Sequence, residues 1–188
     1  MSILQTNIEQ LEIVARSLTA LESTLDKAVD IVRSCLAGGH KLLVCGNGGS
    51  AADASHLATE FVSRFKDERR PYPAIALNDF GSTLTAIGND YAFEEVFSRQ
   101  IWGFGQPGDV LIVFTTSGRS PNIIRALKEA NARGLKSIAF LGRGGGAAKG
   151  MATVELLVAS ESTARIQEAH QILLHALCEM TETGLARN

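Results

Sequence analysis

The chain has 188 residues and a mass of 20.0 kDa, the size of one domain or two small ones, and its 45% apolar and 20% charged content suits a soluble globular protein. Lys and Arg number 18 against 20 Asp and Glu, a net charge of −2 with no long basic run, which argues against nucleic acid as the main partner. No apolar run approaches the roughly 18 residues of a membrane span, and the amino-terminal segment MSILQTNIEQLEIVARSL has no basic start, so no secretory signal or membrane is expected and the cytoplasm is the expected location.

Residues 6 to 37 read as two helices, with Leu11, Val14, Ala15, Leu18 and Leu21 at helical spacing, then Leu25, Ala28, Val29, Val32, Cys35 and Leu36. Gly38 and Gly39 stop the second helix. The period then changes. Lys41 to Cys45 reads as a buried strand, followed at once by Gly46-Asn-Gly-Gly-Ser50 and a helix from about Ala51 to Phe65. A charged turn, Lys66 to Arg70, leads to a second strand at 73–77. Residues 82 to 103 carry short helical patterns broken at Gly88-Asn89-Asp90. Asp109 to Phe114 is the clearest strand, and Thr115 to Ser120 forms a polar loop before Pro121, a residue suited to a first helical turn.

That helix reaches about Arg133. Strands follow at 136–141 and 153–158, separated by a glycine loop at 143–146, and a long helix from about Ser162 to Gly184 closes the chain. Strands alternating with helices imply βαβ units around a parallel sheet covered on both faces. The expectation is one α/β domain over 1–188 with helical ends, the first 37 residues serving oligomerisation by packing on the last helix across subunits. Cys35, Cys45 and Cys178 form no C-x-x-C pair and read as small buried hydrophobes in a reducing compartment.

Two loops stand where open α/β sheets bind ligands, beyond the carboxyl ends of strands. Gly46 to Ala51 satisfies G-x-G-x-x-A, but a dinucleotide site needs an acidic residue about 20 positions on, and the next strand ends much later, at Asn78-Asp79. A nucleotide cofactor is therefore disfavoured. The second loop, Thr115 to Ser120, places four hydroxyls within six residues at a helix start, where free N–H groups and the helix dipole favour an anion. Capping by Ser120 would explain one hydroxyl and leave three. No Lys completes a P-loop pattern, so the loop reads as a phosphate site of another kind.

His56 and Glu60 share one helix face, one turn apart. On the last helix lie Arg165, Gln167, Glu168, His170, Gln171 and His175 among apolar residues. Gln171 is one turn from His175 and makes the better same-face partner, whereas Gln167 lies roughly 12 Å along the axis from His175. His170 reads as a solvated or core histidine.

Taken together, Cys45-Gly-Asn-Gly-Gly-Ser-Ala-Ala-Asp53, His56-x-x-x-Glu60 with Arg64, Ala86-Ile-Gly-Asn-Asp90, Thr116-Ser-Gly-x-Ser120 and Ala164-Arg-Ile-Gln-Glu-x-His170 with His175 resemble the phosphoheptose isomerases of the sugar isomerase (SIS) domain superfamily. The resemblance runs from about residue 40 to 178. It implies a five-stranded parallel sheet of flavodoxin-like type, a homotetramer, and one zinc ion per subunit at His56, Glu60, Gln167 and His175, so it selects Gln167 where spacing leans to Gln171. It also implies sugar-phosphate contacts from Asn47, Gly48, Gly49, Ser50, Glu60, Arg64, Asn89, Asp90, Thr115, Thr116, Ser117, Ser120 and Gln167. Thr115 stands where a serine is usual, Gly144 where an acidic residue is common and Ala159 where a proline is common.

The implied activity converts sedoheptulose 7-phosphate to D-glycero-D-manno-heptose 7-phosphate through an enediol, the first step towards the ADP-heptose of bacterial lipopolysaccharide core. Glu60 would be the base and His175 the acid. The alternative is a non-catalytic SIS module, either a sugar-phosphate sensor or a scaffold for a replication initiator. The scaffold relative lacks the acid–base pair, and this chain has both members.

Overall fold

The computed structural model describes residues 1–185. Its elements run α1 (Ile3–Ser17), a short 3-10 turn, α2 (Glu22–Ala37), β1 (Leu42–Gly46), α3 (Gly49–Val62), β2 (Ala74–Ala76), α4 (Gly81–Asp90), α5 (Ser98–Phe104), β3 (Val110–Thr115), α6 (Pro121–Ala132), β4 (Lys136–Leu141), β5 (Val154–Leu157) and α7 (Thr163–Gly184). All five strands are parallel, in the order β2-β1-β3-β4-β5. The sequence pattern located each strand to within a residue or two. The chain breaks after Asp90 rather than at Gly88, because α4 carries Gly88 and Asn89 within its last turn.

The strands are apolar throughout because both faces are covered. Leu42, Val44, Ile112, Phe114, Ile138 and Phe140 face a core shared with α1, α2, α3 and α7. Leu43, Cys45, Leu111, Val113, Ala139 and Leu141 face a second core with α5 and α6. Each fully buried Leu, Ile or Phe contributes about 1.5–3 kcal/mol, so this double burial dominates the stability of the sheet. At the amino-terminal edge of the sheet, buried Asp109 accepts from the backbone N–H groups of Lys41 and Gln106 and from the Lys41 ammonium at 2.6 Å, tying the starts of β1 and β3 together.

The amino-terminal helices have a partner inside the chain. Both α1 and α2 pack on α7, the Arg165 guanidinium donates to the Asn7 carbonyl at 3.0 Å, and Arg33 donates to the Met180 carbonyl. Packing on the last helix therefore needs no second subunit. The three cysteines are buried and free. Burial, with the nearby Asp109 charge, pushes the Cys35 thiol up to about 12, and burial drives Cys45 and Cys178 further the same way, so all three act as inert apolar groups.

His170 is a core histidine. It is fully buried against the stacked rings of Phe114 and Phe140 and donates to the Leu141 carbonyl at 3.3 Å. Burial lowers its pKa to about 4, the bond to Leu141 opposing only in part. The folded state thus prefers neutral imidazole. Its contribution is complete above the unfolded value near 6.5 and is lost as pH falls towards about 4, a change of about 3 kcal/mol by linkage. Urea midpoints measured from pH 7 to pH 4 should fall less steeply in His170→Leu than in the parent chain; parallel slopes would show that His170 does not carry the acid sensitivity.

Candidate active site

Strands β1 and β3 are neighbours, yet the chain leaves them towards opposite edges of the sheet. The crevice at that reversal is where flavodoxin-like sheets bind ligands. The two loops singled out from sequence are the ones that flank it. A cavity of about 190 Å³ there is lined by Asn47 and Ser50 of the first loop, Thr115, Thr116, Ser117 and Ser120 of the second, and Thr163 and Gln167 of α7. The loops are clamped together by reciprocal amide bonds between Asn47 and Asn122, at 2.9 and 2.8 Å.

The four hydroxyls of the second loop divide their work. Thr115 Oγ1 accepts from Gly118 N–H and Ser117 Oγ accepts from Arg119 N–H, both shaping the loop. Ser120 takes the N-cap position of α6 but makes no capping bond with its side chain; Asn122 Oδ1 accepts the Ile123 N–H instead. Ser120 and Thr116 hydroxyls are therefore left to the cavity. The amino-terminal end of α6 adds partial positive charge there. Gly118 is required by its φ of +60°, and a Cβ on it would meet the Gly145 carbonyl oxygen at 1.8 Å.

In the first loop the glycines serve a different purpose from the nucleotide fingerprint they imitate. A Cβ on Gly49 would stand 2.4 Å from Gln167 Nε2, so this glycine makes room for an α7 side chain. Along α7, Gln167, Gln171 and His175 follow at successive turns and lead from the hydroxyl cavity towards α3. There His56 Nε2 lies 3.0 Å from Glu60 Oε1, and His56 Nδ1 lies 3.0 Å from Gln171 Oε1. Gln171 in turn donates its amide to Asp53. The His175 ring meets His56 edge-on with centroids 5.0 Å apart, and Phe65 stacks on its other side at 5.6 Å.

Asp53 is buried. Burial raises its carboxyl above the ordinary aspartate value, with the Gln171 amide and His56 pulling the other way. The turn at 63–70 is held from α7. Buried Glu182 accepts the N–H groups of Phe65, Lys66 and Asp67 and pairs with Arg69 at 2.9 Å, while Arg69 also donates to the Glu60 carbonyl at 2.7 Å. Burial alone would raise the Glu182 carboxyl; the N–H groups of Asp67, Lys66 and Phe65 and the Arg69 guanidinium outweigh it and hold the carboxyl below its usual range. The charged turn is thus a support for Phe65 and, through it, for His175.

The chemistry of the donors suits a borderline cation such as zinc, which takes nitrogen and oxygen ligands. Two ligands of a tetrahedral ion with bonds of about 2.0–2.1 Å sit roughly 3.4 Å apart, close to the His56–Glu60 spacing of 3.0 Å. Among the described residues no three His, Cys, Asp or Glu side chains stand grouped as a ready metal cluster; His56 and Glu60 are paired, and an ion there would also draw on His175 and an amide oxygen. The oxygen of Gln171 is engaged at Nδ1, on the ring edge away from Glu60, whereas Gln167 is turned to the cavity.

Three expected contacts lie apart from this assembly. Asn89 and Asp90 are exposed at the end of α4, where Asn89 donates to Asp90 at 2.8 Å. Arg64 is exposed in the turn after α3 and donates to the Lys66 carbonyl. Sequence spacing missed Asn122, Asp53, Phe65, Thr163 and the Arg69–Glu182 pair. Only Asn122 carried a signal, as a polar residue in the first turn of a helix.

The SIS domain profile matches residues 8–142. The chain is 46% identical to the phosphoheptose isomerase of Shewanella denitrificans over 185 residues, covering 97% of this chain and 91% of the relative. Among solved structures, a phosphoheptose isomerase from Francisella tularensis superimposes with a TM-score of 0.90 at 39% identity, covering 97% of this chain and all of the other. That from Neisseria gonorrhoeae gives 0.89 at 39% identity, covering 96% of this chain and 97% of the other. With the crevice, the hydroxyl loop and the His56–Glu60–His175 assembly in one chain, the protein belongs to the SIS domain family, among the phosphoheptose isomerases.

Proposed function

We propose that this chain is an aldose–ketose isomerase that converts sedoheptulose 7-phosphate to D-glycero-D-manno-heptose 7-phosphate, a step of heptose biosynthesis. The observation that carries the reading is the meeting of Glu60 and His175 at the His56 ring, at one end of a row of α7 side chains whose other end lines a hydroxyl cavity. Gln167, on α7 between the two, lines the cavity.

The phosphate would rest against Thr116, Ser120 and the start of α6, leaving C1 and C2 near Glu60 and His175. Glu60 holds His56 through Oε1, and Oε2 makes no hydrogen bond among the described residues. The free oxygen takes a proton from C1 as His175 delivers one to the C2 carbonyl oxygen, giving the enediol. His175 then recovers the proton of the C1 hydroxyl while Glu60 returns its proton to C2, which leaves the aldehyde at C1. Both residues end as they began. Holding the remote phosphate orients the carbonyl end for these transfers.

Zinc belongs to the proposal: one ion per subunit, held by His56, Glu60, Gln167 and His175, would polarise the substrate carbonyl. A homotetramer belongs to it as well, supported by apolar side chains left exposed along one broad face of α1, namely Ile3, Leu4 and Ile8. Such a stripe marks an interaction surface. None of the described helices is long and apolar enough to cross a membrane. The scaffold alternative gives no reason for Glu60 and His175 to converge.

Glu60→Gln should lose about 10²–10⁴-fold in turnover of sedoheptulose 7-phosphate while still binding it; full turnover would refute the base. Elemental analysis of the purified protein should find about one zinc per chain, lost in His56→Ala, and a fully active zinc-free protein would refute the metal. Light scattering should give four times the chain mass, whereas a monomer would remove the oligomer from the proposal.

A further inference from the structure

Two hydrogen bonds on the Nδ1 side of His56 have a fixed direction. Asp53 is buried, and as a carboxylate it can only accept. It therefore takes the amide N–H of Gln171, which turns the Gln171 carbonyl oxygen towards His56. That oxygen also can only accept, so His56 Nδ1 must carry the proton. Nothing in this chain of partners can be flipped without setting two acceptors against each other. The consequence appears on the far side of the ring. With Nδ1 committed to Gln171, Nε2 is the nitrogen that faces the Glu60 carboxylate at 3.0 Å, where a proton or a bound metal ion can be shared between them.

We infer that Asp53 and Gln171 are positioning residues that fix the Nδ1–H form of His56 and so aim its Nε2, with Glu60, at a bound divalent cation. Neither residue is a ligand. They act through His56, as outer partners of metal-bound imidazoles generally do. This rests on the isomerase reading only in naming zinc as the cation; the proton position follows from the partners alone. Asp53 and Gln171 come from α3 and α7, so the relay also locks the two helices that carry Glu60 and His175. The Asp53 atom Oδ2 is buried with no hydrogen-bond partner, which leaves Gln171 as the group that holds this carboxylate.

The test is ¹⁵N NMR of histidine-labelled, metal-free protein, with the His56 signals assigned through His56→Gln. The inference predicts a protonated Nδ1 in the parent chain. In Gln171→Leu the proton should move to Nε2, where Glu60 accepts it, and zinc affinity measured by chelator competition should fall about 10–100-fold. Asp53→Leu should do the same. Asp53→Asn keeps an acceptor for the Gln171 amide and should restore both the Nδ1 proton and the affinity. A bare Nδ1 in the parent chain would overturn the inference, as would a Gln171→Leu protein with unchanged ring shifts and zinc affinity. Isomerase turnover of the parent sample is measured separately: a fixed Nδ1 proton without turnover would count against the isomerase reading and not against the relay.

Discussion

The constraint on which everything else depends is the order of the strands. Placing β1 beside β3, with the chain leaving them towards opposite edges, opens one crevice in an otherwise closed parallel sheet. Both strands end there, so the backbone must turn twice in a small space. The residues that permit those turns are small or polar, and the same residues line the cavity. The opposite edge of β1 and β3 is closed by buried Asp109 and Lys41. The carboxyl-terminal ends are free to differ, and they carry the chemistry.

The second determinant is α7, a helix of 22 residues that serves as core, site wall and brace at once. Its apolar side packs on the sheet and on α1 and α2. Another side presents Gln167, Gln171 and His175 in a row from the hydroxyl loop to α3. Near its end, Glu182 fixes the turn that supports Phe65 against His175. A single rigid element thus places side chains both at the hydroxyl loop and beside His56 and Glu60. Sites carried on helices hold geometry better than sites carried on loops. In the proposed mechanism the loops bind, and the helices position the acid and the base.

Much of the fold was legible because its signals are local. Five apolar runs bounded by glycine or polar turns gave the strands, and alternation with helical periods gave the parallel sheet. The spacing of His56 and Glu60 and the clustering of hydroxyls at 115–120 are also local patterns; the hydroxyls line the crevice, and His56 and Glu60 meet His175 beside it. The break before α5 was misplaced because Gly88 and Asn89 are weak helix formers that tertiary context carries through the last turn of α4. Ser120 reads as a cap from its position, but Asn122 supplies the bond, a choice that depends on where Asn47 of another loop lies. The two glutamines show the limit most clearly. Periodicity ranks Gln171 above Gln167, while their different partners, Asp53 and His56 against Gly49 and the cavity, are set by packing between distant segments.

The account turns on proton transfer between neighbouring carbons by a carboxylate, so the most direct test follows the migrating hydrogen. Isomerisation of sedoheptulose 7-phosphate in D₂O should place deuterium at C2 of the aldose product, because the proton taken from C1 passes through Glu60 and exchanges with solvent. Arrival of the C1 hydrogen at C2 with no solvent label would point to a direct hydride shift and contradict the enediol route.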